Sequence, residues 1–336
     1  MMTEMRMCDW PTQVSLTEVC PRDGLQNISA WIPTPEKLAL IDGLMASGLK
    51  RIEATSFVHP AAIPQMKDAD IVARHAVAQA HSLGVEIAAL VPNLKGAERA
   101  LTCGITKVNY VISASPQHNL KNINRTPQAS LTELQTLRCA LPELEVTLIV
   151  ATAFGCPFQG AVPIADVAAL LRAGREMGIS RFTLCDTIGV ANPRQTVQLL
   201  QQLRLALPGL DPALHMHNTH GMALASIYAA IGQGVTRFES AAGGAGGLPV
   251  RSRRGRQCGD RRSGQHAGSH GHCPRRRSGT AAAGGGSPAG AGTGGAERHA
   301  VARPALRRIR VQPAVGFPRG GDAPPPFSME EIWVKP

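Results

Sequence analysis

No Cys-x-x-Cys pair occurs anywhere in this 336-residue chain; its eight cysteines are scattered singly. That spacing excludes an even disulfide framework and points to reduced thiols in a cytoplasmic protein. The first ten residues contain no apolar stretch long enough for a signal peptide. No apolar run approaches the length that spans a bilayer, so neither export nor a membrane partner is expected. The first strand–helix turn lacks the Gly-x-Gly-x-x-Gly fingerprint of a dinucleotide-binding sheet. Lysine is almost missing from the last quarter: of 16 basic residues in 248–336, only Lys335 is not arginine.

That last scarcity marks a change of character at Gly247. Residues 248–336 hold 16 of the 35 Lys+Arg but 5 of the 24 Asp+Glu, so residues 1–247 carry 19 of each and the whole +11 charge belongs to the tail. The tail is rich in Arg, Gly and Pro, has no 3.6-residue apolar period, and is expected to be disordered. A GC-rich gene read out of frame yields this composition. A nucleic-acid-binding tail would mix Lys with Arg and interleave aromatics, whereas the rings here are only Phe317, Phe327 and Trp333. Nucleic-acid binding, with its steep salt dependence, is therefore the weaker alternative.

Residues 1–247 alternate short β-rich runs with helical periods. Strands are predicted at 14–19, 51–55, 86–91, 107–113, 145–151, 181–185, 214–217 and 235–240. Helices are predicted at 35–46, 69–82, 94–101, 130–140, 164–177, 193–207 and 222–231. Gly48, Gly84, Gly104, Gly178 and Gly232 are expected as left-handed caps. Eight strands in strict β/α alternation predict an α/β fold, a (β/α)8 TIM barrel over 1–247 whose eighth helix is missing, followed by the tail.

In such a barrel the chemistry sits at the strand C-termini. Arg22, Asp23 and Gly24 follow strand one, either as a site or as a solvated turn. His215 and His217 share one face of strand seven, since alternate strand residues do, and suit a divalent metal unless they are merely polar residues at a strand end. Glu53, on an otherwise apolar strand two, needs a partner when buried, and Arg22 is the natural one. Asp186 ends strand six. One Asp and two His make three oxygen and nitrogen ligands without thiolate, which favours Mg2+ or Mn2+ over structural zinc. Such a cation chelates a hydroxy-carbonyl substrate, and Arg22 would assist the developing oxyanion.

The motif Glu18-Val19-Cys20-Pro21-Arg22-Asp23-Gly24-Leu25-Gln26-Asn27 resembles the opening of hydroxymethylglutaryl-CoA lyases, in the metal-dependent lyase and synthase TIM-barrel superfamily. Ile52-Glu53-Ala54-Thr55-Ser56-Phe57, Val91-Pro92-Asn93-Leu94-Lys95-Gly96, Lys121-Asn122-Ile123-Asn124, Phe154-Gly155-Cys156-Pro157-Phe158 and Asp186-Thr187-Ile188-Gly189 match in the same order. The resemblance covers roughly residues 14–247. It implies a carbon–carbon lyase cleaving 3-hydroxy-3-methylglutaryl-CoA to acetoacetate and acetyl-CoA, or a related aldolase acting on another acyl-CoA. It implies Asp23, His215 and His217 as ligands of Mg2+ or Mn2+. It makes Arg22 the enolate stabiliser, Glu53 its support, and His215 or Asp23 the handler of the hydroxyl proton. Arg22, Gln26, Asn122 and Thr187 would touch the substrate, and a homodimer is an open option. Asn218 stands where many members have Asp.

The chain leaves the family's pattern after strand eight. There the family continues Gly-Gly-Cys-Pro, with a catalytic thiol, and reaches a further ligand, Asn, nine residues later. Here Gly246-Gly247 is followed by Leu248-Pro249-Val250-Arg251, and both are absent. Synonymous codons for 248–273 exist which, with one base dropped, read Cys-Pro-Phe-Ala-Pro-Gly-Ala-Ala-Gly-Asn and then an amphipathic helix. This points to a one-base insertion before codon 248. The 336-residue chain is then expected to fold poorly and lack activity, and the frame-restored chain to be a complete lyase.

Overall fold

Eight parallel strands close into a barrel in simple sequence order. The computed structural model describes residues 10–245. The expectations for the tail, its disorder and its reading frame, lie outside the described residues. The strands are β1 (Ser15–Glu18), β2 (Arg51–Ser56), β3 (Glu86–Leu90), β4 (Lys107–Ser113), β5 (Glu145–Ala151), β6 (Arg181–Asp186), β7 (Ala213–Met216) and β8 (Arg237–Ser240). Between them run α1 (Thr34–Ala46), α2 (Ala69–Leu83), α3 (Leu94–Thr102), α4 (Pro116–Ile123), α5 (Pro127–Ala140), α6 (Ile164–Glu176), α7 (Pro193–Ala206) and α8 (Ala223–Ile231). Closure comes from Ser15 to Glu18 pairing in register with Arg237 to Ser240.

Local chemistry sets the boundaries. Asn93, Ser115, Thr126 and Asn192 cap their helices by accepting the backbone N–H three residues on. In the last three a proline follows at the first helical position, where its missing donor costs nothing. The cap at Ser115 starts α4, a helix the apolar periodicity does not announce because only Leu120 and Ile123 of its eight residues are aliphatic. Gly84 takes the expected left-handed cap at φ 61°, but Gly232 does not: its φ is −61°, and the left-handed turn is made by Gly234 at φ 77°. After β8 the described residues contain only the 3-10 turn Ala242–Gly244.

The apolar core lies between strands and helices. Ile41, Ile52, Leu134, Leu148, Leu171 and Leu199 are all but fully buried there, each burial contributing about 1.5–3 kcal/mol. Inside the barrel the lining is largely charged and polar, with Ala88 and Ala213 among it. At its N-terminal end Glu86 bridges Arg51, Lys107 and Arg181, and Glu145 takes the last two as well. Further up stand Glu53, Asn109, Thr183 and Glu239, linked by hydrogen bonds to one another or to the groups above them. Charges in such a space persist because each has a partner of opposite sign or a donor.

Candidate active site

The loop after β1 is wound into a single turn of π-helix, Cys20–Gly24. The carbonyl of Val19 accepts from the N–H of Arg22, Asp23 and Gly24, at 3.1, 2.7 and 3.4 Å. This tight winding turns the Arg22 and Asp23 side chains over the barrel mouth. Glu18 fixes the turn from below: its Oε1 accepts from Cys20 N at 2.7 Å and from Ala242 N at 2.9 Å, joining the β1 loop to the β8 loop. Gly24 permits that approach, since a Cβ there would stand 2.9 Å from Cβ of Ala245 and 3.1 Å from Sγ of Cys20.

Arg22 is buried and fully engaged on one edge. Its Nε donates to Glu53 Oε2 at 2.6 Å and its Nη1 to Asp23 Oδ1 at 2.7 Å, leaving Nη2 for another acceptor. Glu53 Oε1 accepts from Asn109 Nδ2 at 2.7 Å. Burial works against the guanidinium's charge, but Glu53 and Asp23 outweigh it and hold Arg22 cationic. Burial raises the Glu53 pKa against the opposing pull of Arg22. For Asp23 burial pushes up as well, yet Arg22, His215 and His217 together draw it below the usual carboxylate value.

The second half of the site comes from β7 and β8. His215 pairs with Glu239 across the strands, and its Nδ1 lies 2.8 Å from Glu239 Oε2. Thr183 Oγ1 donates to the other oxygen of Glu239 at 3.0 Å. His217 Nδ1 lies 2.9 Å from the carbonyl of Asp186. A carbonyl and a carboxylate only accept, so both Nδ1 atoms carry a proton, and in the neutral rings both Nε2 atoms present lone pairs. Those two lone-pair atoms are 3.3 Å apart, and Asp23 Oδ2 is 3.9 Å from the nearer one. Burial lowers the pKa of both imidazoles. For His215 the Glu239 bond and charge reverse this and raise it, while His217 stays low with His215 beside it. Two lone pairs converging beside a carboxylate form a seat for a divalent cation.

Most of the sequence-derived residues meet here. Arg22, Asp23, Glu53, His215 and His217 converge. Gln26 Nε2 reaches Asp23 Oδ1 at 3.2 Å and so sits at the edge of the cluster. Thr187 is buried, and its hydroxyl accepts from Thr152 N at 2.7 Å, which holds Thr152 at the unusual φ of 57°. Asn122 is exposed on α4, and among the described residues no hydrogen bond ties it to the cluster. Asp186 serves the backbone: its two oxygens accept from Val190 N and Ala191 N, each at 3.0 Å, shaping the loop after β6.

Glu239, Asn109 and Glu18 are functional neighbours that sequence reasoning does not single out. Glu239 alternates with the buried Phe238 in a strand reading Arg-Phe-Glu-Ser, which looks half-solvated until barrel closure sets it against His215. A sulfur atom also stands close to the two histidines. The trio of donors lying within 4.8 Å of one another is Cys185, His215 and His217, because β6 and β7 pair Cys185 with His215. Cys20, also nearby, is pushed up to about 12 by burial and by Glu18 and Asp23, and stays a thiol.

Residues 13–260 match the family model described as HMGL-like. The chain is 44% identical over 242 residues to the hydroxymethylglutaryl-CoA lyase YngG of Bacillus subtilis, covering 71% of this chain and 80% of that one. It is 35% identical over 249 residues to the (R)-citramalyl-CoA lyase of Chloroflexus aurantiacus, covering 71% and 78%. Among solved structures, the HMG-CoA lyase of Acinetobacter baumannii in complex with coenzyme A and 3-methylmalate superposes with a TM-score of 0.66 at 37% identity, covering 71% of this chain and 77% of that one.

Proposed function

The chain belongs to the HMGL-like family, and from that premise we propose that its barrel mouth cleaves 3-hydroxy-3-methylglutaryl-CoA to acetoacetate and acetyl-CoA. The observation that carries this reading is the pair of imidazole lone pairs, 3.3 Å apart, set by acceptors behind both rings. Asp23, His215 and His217 would hold the cation, and oxygen and nitrogen donors suit Mg2+ or Mn2+. When bound, the cation supplies Lewis acidity that makes the substrate's tertiary hydroxyl easier to deprotonate.

The protein's own groups do the rest. Each Nε2 has a single lone pair, which the cation would take, whereas the Asp23 carboxylate keeps further lone pairs, so Asp23 rather than His215 would accept the hydroxyl proton. As the alkoxide collapses to a ketone, the carbon–carbon bond breaks and its electron pair passes to the thioester carbonyl as an enolate. The unengaged Nη2 of Arg22 donates to that oxyanion, from a guanidinium already immobilised by Glu53 and Asp23. The enolate carbon then needs a proton. The family resemblance assigns this step to the thiol of the loop after β8, a residue this chain replaces with the Leu248-Pro249 segment.

The test compares the 336-residue chain with a frame-restored chain, following acetoacetate and acetyl-CoA with and without EDTA. The restored chain is expected to turn over substrate in a cation-dependent way. The 336-residue chain, which has lost the thiol, the Asn ligand and the eighth helix together, should show no measurable turnover. Equal rates would remove the reading-frame proposal. A restored chain inactive on this substrate but active on citramalyl-CoA would move the site to the chemistry named for its Chloroflexus relative, the second reading that the 35% identity supports.

A further inference from the structure

The mouth of the barrel holds a donor that the lyase chemistry leaves idle. Cys185, near the end of β6, is paired across the strands with His215, and its thiol belongs with one nitrogen of His215 and one of His217 to a trio spanning no more than 4.8 Å. Among the described residues the only hydrogen bond to Cys185 Sγ is a long one from Thr187 Oγ1, at 3.6 Å. Asp23 approaches the same histidines from the β1 side, with Oδ2 at 3.9 Å from His215 Nε2. One imidazole pair is therefore flanked by a carboxylate on one side and a thiol on the other.

We propose that Cys185, His215 and His217 form a second cation site, overlapping the first, that takes a thiophilic divalent metal of the zinc class and thereby excludes the hard cation held through Asp23. Metal–nitrogen distances of about 2.0–2.1 Å in a tetrahedral site put two nitrogens about 3.3–3.4 Å apart. The Nε2 atoms stand at 3.3 Å already. Their tautomers are fixed by Glu239 and by the Asp186 carbonyl, so both lone pairs are available without rearrangement. The sulfur closes the remaining distance by moving its own short side chain. It binds as thiolate, so the ion displaces one proton to solvent. Water completes the four positions.

Metal softness separates the two occupants. Mg2+ and Mn2+ prefer oxygen donors and have no use for the thiol, whereas zinc, cobalt and cadmium gain from it. The two ions share the histidines, so they compete. The binding half of this proposal stands on geometry alone. The inhibitory half rests on the lyase reading.

The experiment uses the full chain loaded with Co2+ as a coloured substitute for zinc. A thiolate-to-cobalt charge-transfer band in the near ultraviolet, lost in Cys185→Ser and in Cys185→Ala, is the expected result. Zinc affinity, measured against a chromophoric chelator, should fall in both variants by at least about 10- to 100-fold, the range over which even outer-shell partners act. Mn2+ affinity by paramagnetic resonance should hold in both. Asp23→Asn should do the reverse, weakening Mn2+ and sparing zinc. A cobalt complex of the unaltered chain without the thiolate band overturns the site, whatever the variants do. In the frame-restored chain, zinc inhibition of lyase turnover, scaled to each protein's zinc-free rate, should ease in Cys185→Ser; unchanged inhibition overturns the competitive half. The cobalt band is read without substrate, so a failure of the lyase reading leaves that test intact.

Discussion

Glu239 and His215 occupy facing positions on β8 and β7, and the carboxylate lies 2.8 Å from Nδ1 of the imidazole. One strand thus decides which nitrogen of the next strand is bare. Glu239 itself is drawn below its ordinary pKa by His215 and Arg22, against the upward push of burial, so it remains an acceptor. Glu239→Gln keeps the shape but can turn an amide N–H toward Nδ1 and invert the tautomer. Mn2+ affinity should drop about 10- to 100-fold, measured by paramagnetic resonance on folded protein. Unaltered affinity would sink this role for Glu239.

Glu53 is buried and carries the Nε side of Arg22. Glu53→Gln leaves a buried guanidinium with Asp23 as its remaining counter-charge. Breaking a buried pair on one side costs about 3–5 kcal/mol. With Asp23 still in place, the lower end is expected in urea unfolding, together with a fall in kcat larger than any change in KM. A stability equal to the parent's would mean that Asp23 alone balances Arg22.

His118 is buried on α4, its Nδ1 2.6 Å from Ser113 Oγ and its Nε2 without a partner among the described residues. Burial lowers its pKa below the ordinary 6.5. The unfolded chain therefore takes up its proton at a higher pH than the folded one. This contribution to stability is complete above the unfolded value and is lost as pH falls through the folded value. Urea midpoints should decline from about pH 7.5 toward pH 5, and His118→Asn should flatten that decline. A slope that is the same in both proteins would assign the acid limb to other groups.

Gly24→Ala would place a methyl group 2.9 Å from Cβ of Ala245 and 3.1 Å from Sγ of Cys20. Overpacking of this kind costs about 1–3 kcal/mol. The strain falls on the contact between the β1 and β8 loops, so turnover of the frame-restored chain should suffer more than its melting temperature. A variant as active as its parent would show that the two loops move apart freely.

Much of the barrel was legible because parallel strands covered on their outer face carry dense aliphatic runs. Residues 107–113 and 145–151 match β4 and β5 in full. The shorter β1, β7 and β8 are each overrun by up to two residues, since four-residue strands end where pairing ends and not where apolar character does. Arg22, Asp23, Glu53, His215 and His217 were legible because charge at a buried strand end requires a reason. Glu239 and Cys185 were not. Each gains meaning only from a cross-strand neighbour, and register is a property of the closed sheet. Likewise the π-turn at Cys20 depends on one carbonyl serving three donors, which no residue pattern announces.

The hydrogen bond from Ala242 N to Glu18 ties together residues 224 positions apart. During synthesis, at roughly 5–20 residues per second, β1 would wait on the order of 10–45 s for β8 to be made. Through that interval β1 and the latest finished strand are open edges, and the ionic ring of the lumen stays accessible to water. High contact order of this kind slows folding. The bond that joins the β1 and β8 loops forms only once β8 exists, so the link between the two loops and the closing of the open edges are reached together.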